Sequence, residues 1–124
     1  MENLKIEATK YTPEIVLGTD GNISLVGKSY PENTFEFYAP VMAWIEKYFE
    51  TNPAKKTLVN MEIIYFNSSS SKLFFDFFDL LEENSKDNSI EINWIYDEEN
   101  ESAEEAGEDF IEDFEDLKIK LVTK

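Results

Sequence analysis

Tyr65-Phe66-Asn67-Ser68-Ser69-Ser70-Ser71-Lys72 is the stretch on which the reading of this chain turns, because one periodicity ends there and another begins. Before it, Leu58, Val59, Met61, Ile63, Ile64, Tyr65 and Phe66 are β-branched and aromatic enough to form a buried strand. After it, Leu73, Phe74, Phe77, Phe78 and Leu81 recur at helical spacing, with Asp76, Asp79, Glu82 and Glu83 on other positions. A strand therefore hands over to a helix, from about Ser69 to Asn84, through a block of hydroxyls. Ser and Asn side chains accept hydrogen bonds from the free N–H groups of a first turn, so the serines are expected to cap that helix. The same turn is exposed, polar and receptive to an anion, which makes it a place where a kinase can reach a hydroxyl. Cap and phosphoacceptor both fit the spacing.

Working outward, three short strands precede the block: Leu4 to Ala8, Glu14 to Leu17 and Ile23 to Val26, with a hairpin turn at Thr19-Asp20-Gly21-Asn22. An amphipathic helix follows Ser29-Tyr30-Pro31-Glu32-Asn33-Thr34 and carries Phe35, Tyr38, Ala39, Met42, Ile45 and Phe49. Pro40 would forfeit one hydrogen bond inside it, so the helix is expected either to begin near Ala39 or to kink there. Asn52-Pro53 and the pair Lys55-Lys56 separate it from the strand Thr57 to Phe66. Downstream, Ser89 to Tyr96 reads as a strand with Ile90, Ile92, Trp94 and Tyr96 on one face. A third helix from about Glu101 to Asp116 presents Ala103, Ala106, Phe110, Phe114 and Leu117, and Ile119, Leu121 and Val122 close the chain as a last strand. Strands followed by alternating helix and strand imply an α/β fold, with a mixed sheet and about three helices packed mainly on one face. Residues 1–124 show no internal repeat or linker and read as one domain with a core of its own.

Composition excludes much chemistry. The chain has no Cys and no His, and all 11 of its basic residues are Lys. A thiol nucleophile, a Ser-His-Asp triad, a His or Cys zinc site and an Arg clamp on phosphate are unavailable from one chain. Asp76 and Asp79 resemble a catalytic carboxylate pair, yet acids three apart on an amphipathic helix form its wet side. Trp44, Phe35, Tyr38 and Tyr30 could line a small-molecule pocket, but their helical spacing assigns them to the core. The acids of Asp97 to Glu105 lack the glycine-centred frame of a calcium loop, so no metal or cofactor is expected. A non-enzymatic chain is the expectation. The net charge of −16 opposes nucleic-acid backbones and anionic membranes and favours protein partners, although so acidic a surface could also mimic DNA. No secretory leader or membrane span is visible, and cytoplasmic residence is the default expectation.

The layout is similar to that of STAS domains used as anti-sigma-factor antagonists, in which a phosphorylatable Ser follows a buried strand, although their Asp-Ser-Ser-Gly signature is absent. A closer resemblance rests on Tyr11-Thr12-Pro13, Gly27-Lys28-Ser29-Tyr30-Pro31-Glu32-Asn33, Pro40-Val41-Met42-Ala43-Trp44, the serine block, Asn93-Trp94-Ile95-Tyr96-Asp97 and Glu105-Ala106-Gly107-Glu108-Asp109-Phe110. In family order and over nearly the whole chain, these resemble the SiaC family of bacterial regulatory phosphoproteins. The resemblance implies a non-catalytic adaptor in cyclic di-GMP signalling. A dedicated Ser/Thr kinase would phosphorylate it, a PP2C-type phosphatase would reverse this, and the unphosphorylated form would bind and activate a diguanylate cyclase. Where the family has Asn-Thr-Ser-Ser, this chain has Asn67-Ser68-Ser69-Ser70, so the phosphoacceptor maps onto Ser68. Asn67, Ser69, Ser70 and Lys72 are its neighbours, and Lys72 is placed to pair with a phosphate one helical turn away.

Overall fold

The structure, a computed structural model, describes residues 1–51 and 56–124. Its elements run β1 (Leu4–Ile6), β2 (Glu14–Leu17), β3 (Asn22–Ser29), α1 (Thr34–Thr51), β4 (Lys56–Phe66), α2 (Ser68–Asn84), β5 (Ser89–Tyr96), α3 (Glu101–Asp113) and β6 (Lys118–Thr123). The six strands form one sheet in sequence order. β1, β2 and β3 are an antiparallel meander, and β3 to β6 are parallel neighbours joined by the three helices. The sheet is thus mixed, as the order of elements implied. Crossovers of one hand that always step to the next strand leave every helix on the same face.

That face is the core. Ile23, Leu25, Val59, Met61, Ile63, Ile90, Ile92 and Trp94 point into it from the strands and meet Tyr38, Ile45, Phe74, Phe77, Phe78 and Phe110 from the helices. Phe110 joins two elements, its ring 4.7 Å from that of Phe78 and 5.3 Å from that of Trp94. Gly107 makes the approach of α3 possible: a Cβ there would lie 2.5 Å from Leu121 and 2.6 Å from Trp94. Trp94 donates its indole N–H to the Ala103 carbonyl at 2.8 Å, so the same close contact satisfies a buried donor. Among the described residues no helix covers the other face of the sheet. Parallel strands are usually covered on both sides, but here Ser24, Asn60, Glu62, Glu91 and Asn93 share the uncovered face with Val26, Leu58 and Ile95 and make it a mixed polar and apolar surface.

Two expectations need correction. α1 begins at Thr34 rather than near Ala39 and is continuous through Pro40, whose exposed position leaves the unpaired carbonyl one turn back on the wet side of the helix. Its inner face is Thr34, Tyr38, Val41, Ile45 and Tyr48, with Trp44 and Phe49 beside them. Phe35 and Ala39 lie about 100° round from that line and are exposed. α3 ends at Asp113 rather than Asp116, because Phe114 leaves helical geometry, and Phe114 and Leu117 reach the core from the turn that follows. The expected break at Asn52-Pro53 and Lys55 lies outside the described residues. Among those residues no helix is long and apolar enough to cross a membrane.

Candidate functional site

The serine block sits at the carboxyl edge of the parallel strands, where the loops after β3, β4 and β5 converge. α2 begins at Ser68, and the cap is Asn67, whose Oδ1 accepts the Ser70 N–H at 2.9 Å. This corrects the expectation that the serines cap the helix: Ser68 is its first helical residue. Ser68, Ser69 and Lys72 are exposed. Ser70 is fully buried; its hydroxyl lies 2.8 Å from that of Ser29, which in turn lies 2.6 Å from the Tyr38 hydroxyl. One chain of hydroxyls therefore ties the start of α2 to β3 and α1. Asn67 adds a second tie through its N–H, donated to the Ser29 carbonyl at 3.1 Å. Burial pushes the Tyr38 phenol up to about 12, so it stays neutral and keeps its proton in that chain.

The electrostatics of this turn are unlike those of the rest of the molecule. Among 27 acidic residues none falls in the first turn of α2, whereas α3 opens with Glu101 and Glu104. The N–H groups of Ser68 and Ser69 find no acceptor among the described residues, and the Ser68 hydroxyl makes no hydrogen bond there. The partial positive charge of the helix start is left uncancelled. Lys72 stands one turn on and forms no ion pair among the described residues, where Lys5, Lys56 and Lys124 do.

A break in the sheet shapes the surface beside it. The β3–β4 register shifts between Gly27 and Lys28, so that Gly27 pairs with Ile63, Lys28 with Tyr65 and Ser29 with Phe66, and Ile64 is left unpaired. Gly27 adopts φ +134° against the Pro13 backbone, a conformation that side chains rarely reach. The bulge interrupts the alternation of β4, and Ile64 and Tyr65 are consecutively exposed, at 53% and 54%. Tyr65 meets Tyr30 edge-on at 5.5 Å, and Tyr30 meets Tyr11 at 5.3 Å, a ladder of three tyrosines along the edge.

A family model described as SiaC family regulatory phosphoprotein matches residues 6–124. The chain belongs to the SiaC family. It is similar to apo-SiaC from Pseudomonas aeruginosa, with a TM-score of 0.90 and 31% identity over 99% of this chain and 100% of that one. It is also similar, at a TM-score of 0.89 and 31% identity over 98% of this chain and 99% of the other, to a chain in the crystal structure of the P. aeruginosa diguanylate cyclase SiaD in complex with its activator SiaC. A protein from P. aeruginosa strain UCBPP-PA14 is 36% identical over 115 residues, 91% of this chain and 90% of the relative. The SiaC family assignment expected from the motifs is thereby shown, and with it a regulatory rather than catalytic role. Asp76 and Asp79 are both exposed on the wet side of α2, and among the described residues no acidic cluster is placed to hold a metal ion.

The structure sorts the aromatic residues differently from their spacing. Tyr38 and Trp44 are core, while Phe35 is exposed and Tyr30 only half-buried. Ile64 and Tyr65, read as the end of a buried strand, stand on the surface. One signal was available: a glycine inside strand-like sequence, at Gly27, marks a bulge or a close backbone approach.

Proposed function

We propose that this chain is a non-catalytic adaptor switched by phosphorylation of Ser68, and that its unphosphorylated form binds and activates a diguanylate cyclase. The observation that carries the reading is an exposed hydroxyl on the first residue of an acid-free helix start, in a member of a family of regulatory phosphoproteins. The likeness to the activator SiaC supports the choice of a cyclase and a role in cyclic di-GMP signalling. A Ser/Thr protein kinase adds the phosphate and a PP2C-type phosphatase removes it.

Magnitudes indicate where such a switch acts. A phosphate on Ser68 brings about −1.5 to −2 charges, and the helix start favours it by about 0.3 to 1 kcal/mol. An exposed pair with Lys72 adds under about 1 kcal/mol. Neither is enough to reorganise a turn anchored through Ser29 and Asn67. Burying an unpaired dianion against a partner costs several kcal/mol, against about 8 kcal/mol for a whole micromolar complex. The phosphate therefore acts by excluding one partner.

Mass spectrometry of protein purified from its own host locates the phosphate. Titrating the host's cyclase with unmodified and fully phosphorylated protein at fixed salt then tests the consequence. The expected result is phosphate on Ser68 and a Kd weakened by about a hundredfold or more. Equal affinities with phosphate confirmed on Ser68 refute the switch.

A further inference from the structure

The bulge at Ile64 has a consequence for recognition. A strand with a two-residue period shows solvent one side chain in two, yet Ile64 and Tyr65 both face outward. Tyr30 and Tyr11 continue the exposed apolar surface from Tyr65 by edge-on ring contacts. Three surface hollows follow the same edge. One of about 420 Å³ lies against Tyr11 and Tyr30, one of about 290 Å³ against Ile64, Tyr65 and the start of α3, and one of about 240 Å³ between Ile64 and Tyr96. Ile64 borders two of them. Aromatic side chains in such a setting are the residues that dominate protein interfaces, since they offer large contact area at small entropic cost.

Charge decides what the surface takes. In a chain of net charge −16, three lysines flank the ladder and the serine block. The Lys10 ammonium lies 6.0 Å from the Tyr11 ring centre, Lys28 pairs in register with Tyr65, and Lys72 stands one turn after Ser68. None of the three has a carboxylate partner among the described residues. Two acids border the hollows beside Ile64, Glu62 and Asp97, and the Glu62 carboxylate is already paired with Lys124. Glu32 lies at the far end, beside Tyr11 and Tyr30. A second copy of so acidic a chain is a poor occupant, because it brings a further −16 to the contact.

We propose that the Tyr11–Tyr30–Tyr65 ladder with Ile64 is the surface on which the cyclase seats an apolar segment bearing a carboxylate, with Lys28 and Lys72 as its counter-charges. The inference rests on the reading that the unphosphorylated chain binds a cyclase. It also explains how one phosphate can exclude that partner. Ser68 lies three residues on from Tyr65, at most about 11 Å of chain, so the phosphate competes for Lys72 and repels the incoming carboxylate at the edge of the contact.

The test measures Kd for the host's diguanylate cyclase, by calorimetry at fixed salt, for wild type, Tyr65→Ala, Ile64→Ser and Lys28→Glu. Ile111→Ser, an exposed apolar position on α3, and Lys86→Glu, beyond the far end of α2, serve as controls. Every altered side chain is exposed, and thermal melting confirms that each variant folds. Loss of affinity of about ten- to thirtyfold for Tyr65→Ala and Ile64→Ser, and a clear loss for Lys28→Glu, with both controls within about twofold of wild type, is the expected outcome. Tyr65→Ala and Ile64→Ser both within about twofold of wild type overturn the surface. A Lys28→Glu variant that binds more tightly overturns the carboxylate. A wild-type chain that does not bind the cyclase overturns the activation reading, and this occupant with it.

Discussion

Ser29→Ala tests the anchoring of the serine block more directly than any change within the block. The Ser29 hydroxyl is fully buried and serves both Ser70 at 2.8 Å and Tyr38 at 2.6 Å, so its loss leaves two buried hydroxyls each short of a partner. An orphaned buried polar group costs about 1 to 3 kcal/mol, and some relaxation between Ser70 and Tyr38 sets the expected total at about 2 to 4 kcal/mol. With an unfolding entropy of about 2.1 cal/mol/K per residue, a chain of 124 residues loses about 4 °C of Tm per kcal/mol. Ser29→Ala is therefore expected to melt about 8 to 15 °C below wild type. Ser68→Ala removes an exposed hydroxyl without a partner and should change stability by under about 0.5 kcal/mol, or about 2 °C. Calorimetric or circular-dichroism melts at one pH and protein concentration give both numbers. A Ser29→Ala protein within about 2 °C of wild type would show that the hydroxyl chain does not hold the start of α2.

Two further outcomes follow from the packing. Gly107→Ala forces a methyl within 2.5 Å of Leu121 and 2.6 Å of Trp94, so despite the better helix propensity of Ala it should destabilise by about 1 to 3 kcal/mol; a more stable variant in urea titration would contradict the close approach of α3. The Tyr38 phenol, raised to about 12 by burial, binds its proton more tightly folded than unfolded, so its contribution is complete below pH 10 and is lost as pH rises from about 10 to about 12. Over that window wild type should lose about 2 to 3 kcal/mol more stability than Tyr38→Phe, and parallel pH profiles for the two would rule out a buried, proton-bearing Tyr38.

Period made α2 and β5 legible, because each is a half-buried element whose apolar side chains recur without interruption, while β4 was legible from its run of β-branched and aromatic residues. Leu73, Phe74, Phe77, Phe78 and Leu81 all reach the core. α1 was harder to place. Phe35 and Ala39 are apolar and sit near the right spacing, yet the line from Thr34 through Tyr38, Val41 and Ile45 packs on the sheet, and which of two adjacent lines faces inward depends on the strands below. Pro40 was read as a boundary or a kink because sequence does not say which way it points; on the wet side its missing N–H leaves the helix continuous. The position of Ser68 followed from the change of period. The surface beside it did not, since the exposure of Ile64 and Tyr65 comes from a register shift between β3 and β4, elements far apart in sequence. Gly27 was the visible trace of that shift, and it could be interpreted only once Pro13 was seen against it.

The same register shift links the rigid and the recognisable parts of the site. Moving the β3–β4 pairing by one residue brings Ser29 opposite Phe66, which lets Ser29 accept from Asn67 with its carbonyl and reach Ser70 with its hydroxyl. Without the extra residue, Ser29 would face Tyr65, and the cap and the buried hydroxyl chain would lose their common anchor. The extra residue is Ile64, and accommodating it turns Ile64 and Tyr65 outward. Fixing the start of α2 and exposing an apolar edge next to it are thus one structural event. Under the proposed switch, a phosphate added at Ser68 would meet a turn that is held in place and a surface that is open, so its effect would be read at the surface.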